Sequence, residues 1–196
     1  MTKLSGQKMK IKRLLDIVLS LAGLLLFSPI FVVVALVVRA TSPGGALFVQ
    51  TRVGRNEKCF RCLKFRTMTA GTPDVGSHHA EQSWITPIGR LLRKTKLDEL
   101  PQLINVLRGE MSIVGPRPCL PSQRELISAR RALGVFSLAP GITGISQTRG
   151  VDMSTPLELA SLDATYLESM SVLTDIALMY ETLRGAGKGD AASRRV

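Results

Sequence analysis

Two adjacent carboxylates, Asp98 and Glu99, are the residues of this 196-residue chain with the clearest potential for chemistry. They follow Arg93 and Lys96 and stand where a helical pattern begins. A helix N-terminus and neighbouring cations both stabilise anions, so we expect the two carboxylates to stay ionised. Ionised carboxylates suit the roles of nucleophile and metal ligand better than that of general acid. A purely structural role is the alternative, because the spacing of Thr95 and Asp98 also matches a helix capping box.

Several basic residues elsewhere could bind phosphate groups beside such a pair. Arg117 stands in the sequence Gly-Pro-Arg-Pro, where the prolines restrict the backbone and help to aim a guanidinium. Lys64 and Arg66 are two residues apart on a predicted strand and should share a face, and Arg149 follows a glycine-rich turn. Each of them could equally be a solvated surface charge. Together with the carboxylates and an apolar segment, they indicate a diphosphate substrate handled at a bilayer surface with a divalent ion.

That apolar segment, residues 14–38, is the element that would bring the chemistry to a membrane. Asp16 is its only charged residue, and Ser28 and Pro29 stand just past its middle. A straight helix of this length would reach about 37 Å, enough to cross a hydrocarbon core of about 30 Å. Pro29 removes an amide donor and crowds the carbonyl four residues back. We therefore expect a bend there, with Ser28 bonded to a freed backbone group.

The charges that flank this segment favour a re-entrant hairpin, which enters and leaves the membrane on one face. The basic residues on its two sides are Lys8, Lys10, Lys12 and Arg13 before it, and Arg39, Arg52 and Arg55 after it. Both ends therefore carry the cationic residues typical of the cytoplasmic side. A single-pass anchor is the main alternative. A signal peptide fits less well, since the run is too long and lacks a small-residue cleavage site.

The whole chain is predicted to have an α+β fold. We expect a basic N-terminus and re-entrant helix over residues 1–40, a catalytic domain over 41–184 and a disordered tail over 185–196. The domain should contain a small β-hairpin and several helices, some of them amphipathic and lying at the membrane interface.

The first half of the domain should open with two strands, residues 46–54 and 59–68, that form the β-hairpin. The polar composition of residues 69–87 predicts a surface loop, which either closes over a ligand or only connects the elements on its two sides. A helical pattern starts at residue 88, and a second helix should begin close to Asp98.

The second half should open with a proline-punctuated loop over residues 111–121 and a helix over 121–133. A turn-rich segment over residues 139–144 follows. Residues 156–183 have apolar residues at helical intervals, with a break expected near 169–171. This last element could be an ordinary core helix or an amphipathic segment in the head-group layer.

The net charge of +11, from 26 basic and 15 acidic residues, indicates an anionic partner such as phospholipid head groups, a nucleotide or a phosphorylated lipid. Nucleic acid is not expected as a partner. The chain has one Trp, two Tyr and no RNP-like or helix-turn-helix signature, so only its charge would support nucleic-acid binding.

The three cysteines are an odd number, consistent with a reducing cytoplasm. Cys59 and Cys62 have the CxxC spacing, but on a strand their thiols point to opposite faces. Even with His78 and His79, we expect packing residues rather than a zinc site.

Four segments carry a resemblance to a known family. They are the basic-flanked apolar run with its Ser-Pro pair, KFRTM at 64–68, KLDELPQLINVLRGEMSIVGPRP at 96–118 and PGITG at 140–144. In this order they resemble the bacterial sugar transferase family, specifically the small monotopic phosphoglycosyl transferases. The resemblance implies transfer of a sugar 1-phosphate from a UDP-sugar to undecaprenyl phosphate, with release of UMP. It also implies a re-entrant helix in the bacterial inner membrane and a catalytic domain that faces the cytoplasm.

The family's roles, carried to matching positions, make Asp98 the nucleophile that forms a phosphosugar aspartyl intermediate and Glu99 the ligand of Mg²⁺. The implied substrate-binding residues are Arg93 and Arg117, followed by Lys64, Arg66 and Arg149. The chain departs from many relatives around PGITG, where a basic residue usually precedes the motif and an aromatic residue follows it. Contacts of that loop with uridine or sugar are therefore less well supported.

Two other functions remain open at this point. The lipid phosphate could attack the donor directly, or a membrane-tethered basic scaffold module could bind a polyanion without catalysis. The scaffold predicts salt-sensitive binding that is indifferent to Asp98→Asn. Our expectation for the sugar is an N-acetylated hexosamine, although no residue pattern derives that choice, and the sequence does not indicate the oligomeric state.

Overall fold

The computed structural model describes residues 6–73 and 81–185. Its helices are α1 (Gly6–Leu26), α2 (Ser28–Thr41), α3 (Pro87–Thr95), α4 (Gln102–Leu107), α5 (Arg124–Ala132), α6 (Ile145–Thr148), α7 (Pro156–Ser169) and α8 (Val172–Leu183). Its strands are β1 (Leu47–Val53), β2 (Cys59–Phe65), β3 (Ser112–Val114) and β4 (Gly141–Thr143). Helices and two small sheets are mixed along the chain, as the predicted α+β class requires.

The apolar segment bends sharply at the predicted position. Helices α1 and α2 are inclined by 63° to each other, and Pro29 lies in the first turn of α2. The Ser28 hydroxyl donates to the Leu25 carbonyl at 2.8 Å, so the predicted bend and the serine contact are both confirmed. Within residues 6–73 and 81–185, only this bent pair, taken together, has the length and apolar composition of a membrane span, and no single helix does.

The first helix is fastened to the rest of the protein by its charged residues. Arg13 donates to two carbonyl oxygens at the end of α4, at 2.5 and 2.8 Å, where helical carbonyls have no partner within the helix. Asp16 is buried and accepts hydrogen bonds from the Ser112 hydroxyl and the Ile113 amide, both at 3.0 Å. The single charge of the apolar segment is therefore turned towards β3.

The predicted β-hairpin is confirmed. Strands β1 and β2 pair antiparallel, from Leu47 opposite Phe65 to Val53 opposite Cys59, and a 3-10 turn joins them. Cys59 is exposed and Cys62 is buried, so the two thiols lie on opposite faces of the strand as expected.

The structure contains a second sheet, which was not predicted. Its two strands lie where a loop and a turn were predicted, so those two predictions were wrong. Strands β3 and β4 pair in parallel, with Ser112 opposite Gly141 and Val114 opposite Thr143. A Cβ atom on Gly141 would lie 2.1 Å from the Gly115 amide nitrogen, so this close approach requires a glycine. The strands are too short for their period to be visible in the sequence, and the glycines of the PGITG motif serve backbone packing here.

The acidic pair lies outside the helix that was expected to contain it. Residues Leu97–Glu99 form a separate 3-10 turn, and α4 begins only at Gln102, directly after Pro101. Proline has no amide hydrogen and suits the start of a helix, which explains the later beginning. The Thr95 hydroxyl donates to a carbonyl one turn back in α3, so the proposed capping box does not form.

Helix α5 also begins later than predicted, at Arg124 rather than residue 121. The side-chain carbonyl of Gln123 accepts a hydrogen bond from the Leu120 amide at 2.8 Å, and this contact closes a turn before the helix starts.

The ends of the predicted loop at 69–87 are held together, since the Thr69 amide donates to the Trp84 carbonyl at 3.0 Å. Residues 74–80 of that loop, with His78 and His79, and the predicted tail beyond residue 185 lie outside the described residues.

The last two helices are separated where a break was expected. Helix α7 ends at Ser169, and the Ser171 hydroxyl caps α8 by accepting from the Thr174 amide at 3.1 Å. Tyr166 and Leu178 belong to a buried apolar cluster, so the inner faces of both helices are core. The outer face of α8 carries an exposed apolar stripe formed by Leu173, Ile176, Tyr180 and Leu183.

Candidate active site

Asp98 and Glu99 are both buried, with 7% and 9% of their surfaces exposed. Their neighbours in sequence, Leu97 and Leu100, pack against an apolar cluster that includes Val34 and Val38 of α2 together with Phe65 and Leu92. The two leucines thus anchor the acidic turn between α2, β2 and α3. Burial of apolar side chains on both sides holds this short turn in place without a long helix behind it.

Two cations from separate parts of the chain converge on Glu99. Its Oε1 atom accepts from the Lys64 ammonium at 2.7 Å and from the Arg117 guanidinium at 3.0 Å. Lys64 comes from β2, and Arg117 follows β3. Three elements therefore meet at one carboxylate, and two of the predicted phosphate-binding cations are beside the acidic pair.

These cations control the ionisation of Glu99. Burial alone would raise the pKa of the Glu99 carboxyl, but Lys64 and Arg117, with a contribution from Lys96, outweigh burial and hold that pKa well below its ordinary value. The carboxylate is therefore charged at neutral pH, in agreement with the sequence-based expectation.

The ion-paired carboxylate should make stability depend on pH. We expect Glu99→Gln to lower the free energy of unfolding at pH 7, and the difference from the parent protein to shrink in acid. The folded-state pKa lies below the ordinary value of 4.5. The carboxylate therefore stabilises the fold above that value, and its contribution is lost as the pH falls through the folded-state pKa. Urea unfolding of both proteins in detergent between pH 7 and pH 3 measures this difference, and a difference that does not change with pH would contradict the assignment.

A fully buried asparagine sets the position of α4 against the hairpin. The Asn105 side chain accepts from the Leu63 amide at 3.0 Å and donates to the Arg61 carbonyl at 2.8 Å. Its amide nitrogen also contacts the Glu110 carboxylate at 2.6 Å. These bonds fix β2 beside α4, and they place Lys64, the next residue of the strand, within reach of Glu99. Sequence analysis did not identify Asn105, because the bonds join residues more than 40 positions apart.

The other predicted cations lie in different surroundings. The Arg93 guanidinium donates at 3.0 Å to the hydroxyl of Thr67, which lies in the segment that follows β2. Arg66 lies one residue beyond the end of β2, and its guanidinium donates to the Pro43 carbonyl at 3.0 Å. Arg149 is exposed at the end of α6.

The approach of α3 to Thr67 depends on a glycine. A Cβ atom on Gly89 would lie 2.0 Å from the Thr67 carbonyl oxygen, so no larger residue fits without a shift of the backbone. Thr86 caps the same helix by accepting from the Gly89 amide at 3.0 Å. The cap and the close contact together hold Arg93 at the edge of the site.

The carboxylates of the acidic turn are few for a metal site built from protein ligands alone. Among the described residues there is no cluster of three His, Cys, Asp or Glu side chains that could hold a metal. Magnesium keeps several waters and takes one or two carboxylates together with substrate phosphates. A single ionised carboxylate such as Glu99, beside the Arg117 guanidinium, fits that pattern and does not fit a zinc or calcium cage.

Comparison with known proteins identifies the family of this chain. Residues 7–189 match the family described as bacterial sugar transferase. The chain is 33% identical over 189 residues to the exopolysaccharide production protein ExoY of Rhizobium meliloti, covering 88% of this chain and 83% of that protein. It is 39% identical over 181 residues to a UDP-glucose:undecaprenyl-phosphate glucose-1-phosphate transferase of Caulobacter vibrioides, covering 88% and 68%.

A third relative carries a different sugar in its name. It is the UDP-N-acetylgalactosamine-undecaprenyl-phosphate N-acetylgalactosaminephosphotransferase of Aeromonas hydrophila, 33% identical over 184 residues, with 89% of this chain and 43% of that protein covered. The family match extends from the start of α1 to beyond α8 and includes the acidic turn and both cations that contact it. The chain therefore belongs to the bacterial sugar transferase family and is a transferase enzyme.

Proposed function

We propose that this protein transfers a sugar 1-phosphate from a UDP-sugar to undecaprenyl phosphate and releases UMP. The observation that carries this proposal is the acidic turn itself. A buried carboxylate paired with Lys64 and Arg117 lies between leucines that pack on α2. Cations beside carboxylates suit a diphosphate, and contact with the apolar segment suits a lipid acceptor. The names of the Caulobacter and Aeromonas relatives describe transfers of this kind.

In this proposal Asp98 is the nucleophile. A carboxylate oxygen of Asp98 attacks the phosphorus that bears the sugar, the bond from that phosphorus to the bridging oxygen breaks, and UMP leaves with the electron pair. A phosphate oxygen of undecaprenyl phosphate then attacks the same phosphorus and restores the Asp98 carboxylate. Division into two displacements lets a water-soluble donor and a lipid acceptor use one site in turn.

Glu99 and the two cations would manage charge during these steps. Arg117 and Lys64 reduce the repulsion between an attacking carboxylate and an anionic diphosphate. Glu99 would hold Mg²⁺, which when bound neutralises diphosphate oxygens and helps UMP to leave. Arg93, which donates to the Thr67 hydroxyl, would bind the donor phosphates.

The membrane part of the proposal rests on the bent helix pair and on α8. We propose that α1 and α2 enter the bacterial inner membrane as a re-entrant hairpin, with the catalytic domain on the cytoplasmic side. The basic residues on both sides of the apolar segment support this orientation. The exposed stripe of α8 would lie among phospholipid head groups, since an amphipathic helix buries such a face at the interface.

The identity of the sugar is the finer part of the proposal. We retain an N-acetylated hexosamine as the expected donor sugar, although the Caulobacter relative is named for glucose and the Aeromonas relative for N-acetylgalactosamine. A screen of UDP-glucose, UDP-N-acetylglucosamine and UDP-N-acetylgalactosamine, with UMP release as the readout, would choose among them.

One experiment tests the covalent route. The purified protein is incubated with the best donor and Mg²⁺, without acceptor, and then analysed by intact-mass and peptide mass spectrometry. We expect an added sugar phosphate on the peptide that contains Asp98, lost when undecaprenyl phosphate is supplied. Transfer to the lipid without any adduct would favour direct attack by the lipid phosphate. Salt-sensitive polyanion binding with no UMP release from any donor would favour the scaffold alternative.

A further inference from the structure

The backbone around Arg117 is held by a buried ion pair that lies outside the acidic turn. Arg130 of α5 and Asp163 of α7 are joined by two hydrogen bonds, from Nε at 2.9 Å and from Nη2 at 2.6 Å, both to Oδ2. Their side chains are only 2% and 1% exposed. The remaining terminal nitrogen of Arg130, Nη1, donates to the backbone carbonyl of Arg117 at 2.9 Å. The other carboxylate oxygen of Asp163 accepts from the Ser146 hydroxyl at 2.6 Å.

The next peptide group has its own anchor from the hairpin. The Arg52 guanidinium donates to the Pro118 carbonyl at 3.0 Å and is itself held by the Gln50 side chain. The prolines on each side of Arg117 fix their own φ angles and restrict the residue before Pro118. Pro118 thereby limits Arg117 to extended backbone, within which its ψ angle and the direction of its carbonyl can still vary. The bond from Arg130 holds that carbonyl in one direction.

We propose that Arg130, held by Asp163 and Ser146, is a positioning residue that aims the Arg117 guanidinium at Glu99 and at the donor phosphates. A buried ion pair alone is a weak source of stability, because an apolar pair of similar volume is often as stable. Here the pair has a further effect, since the Nη1 atom of Arg130 donates to the backbone carbonyl oxygen of Arg117. The role in transfer rests on the proposed function, whereas the role in placing Arg117 does not.

The test is a double-mutant cycle between this ion pair and Arg117. The pair is replaced together, as Arg130→Met with Asp163→Leu, so that no unpaired charge is left in the core. Activity, as kcat/KM for UMP release, is measured in the parent background and in an Arg117→Met background. We expect the paired replacement to lower kcat/KM by about 30- to 100-fold in the parent background, as a misplaced catalytic group does. In the Arg117→Met background the further loss should be less than about threefold, because two residues that act as one unit are not additive.

A matched control comes from the neighbouring residue. Arg131 has the same charge and is paired with Glu57 at 2.6 Å, but its side chain is 61% exposed. Arg131→Met should leave kcat/KM unchanged in both backgrounds. Ser146→Ala is a milder variant for use if the paired replacement fails to fold. It removes one bond to Asp163 and should lower kcat/KM by about three- to fivefold, again only when Arg117 is present.

A second measurement needs no substrate and separates this proposal from the proposed function. Arg117→Met should lower the midpoint temperature of unfolding at pH 7, because the contact with Glu99 is lost. That drop should shrink to less than half in the Arg130→Met, Asp163→Leu background if Arg117 is no longer aimed at Glu99. Equal losses in both backgrounds, in activity or in midpoint, would overturn the positioning role. Absence of UMP release with the midpoint coupling intact would instead count against the proposed function alone.

Discussion

Replacement of Asp98 with asparagine should lower UMP release by about 10⁴-fold or more while the protein remains folded. A neutral amide is a far weaker nucleophile than a carboxylate, so the first displacement would lose its attacking group. Asparagine keeps the shape of the side chain in a turn where Asp98 is only 7% exposed. UMP release from the UDP-sugar, measured with and without undecaprenyl phosphate, gives the rate, and circular dichroism with thermal unfolding reports the fold.

Two further variants make this result interpretable. Asp98→Ala should be equally inactive and excludes slow deamidation of the asparagine as a source of residual activity. Glu57→Gln is the control, since Glu57 pairs with the exposed side chain of Arg131 and its loss should have little effect. Turnover by Asp98→Ala at a rate close to that of the parent would remove the nucleophile from the proposed mechanism.

The parts of the structure that could be predicted from the sequence are those that depend on short local patterns. Ser28 and Pro29 mark the bend because proline cannot continue the hydrogen-bond ladder of a helix. The β-hairpin follows from two strand patterns separated by a turn. Lys64 and Arg117 were expected near the acidic pair only as members of a set of phosphate-binding cations. The structure shows both of them in contact with Glu99, while Arg66 contacts the Pro43 carbonyl and Arg149 is exposed.

The parts that could not be predicted depend on contacts between distant residues. Strands β3 and β4 are three residues each, and their pairing depends on backbone approach at Gly115 and Gly141 rather than on side-chain alternation. Asn105 lies within the family segment 96–118 and Arg130 lies outside the four family segments, but no local pattern distinguishes either residue from ordinary helix residues. Their roles appear only when bonds to Arg61 and Arg117, 44 and 13 positions away, are seen.

The apolar segment and the site are joined by these distant contacts. Arg13 closes the end of α4, Asp16 holds β3, and α2 supports the acidic turn through Leu97 and Leu100. Helix α4 follows the carboxylates, and Arg117 follows β3. A displacement of the bent pair would therefore move both the acidic turn and the cation that contacts it, which gives a physical reason for attachment of the site to the apolar segment.

Replacement of Glu99 with glutamine should lower UMP release by about 10²- to 10³-fold and weaken the dependence on the divalent ion. The amide has the shape of the carboxylate but lacks its charge, so it would bind a hard cation weakly and would no longer offer Lys64 and Arg117 the negative charge that they contact. Mn²⁺ serves as the probe in place of Mg²⁺, and its binding in the presence of the UDP-sugar is followed by electron paramagnetic resonance. The affinity for Mn²⁺ should fall by at least about tenfold.

The matched control is Glu57→Gln, which removes the same charge from a carboxylate that pairs with Arg131 on the surface and should leave both readouts unchanged. A Glu99→Gln protein that binds Mn²⁺ as tightly as the parent but transfers slowly would show that Glu99 acts only by holding Lys64 and Arg117. A Glu99→Gln protein that keeps both full activity and full Mn²⁺ affinity would exclude Glu99 from the reaction. The removed charge lies 2.7 Å from Lys64 and 3.0 Å from Arg117. If those cations bind the diphosphate, loss of that charge must affect the rate.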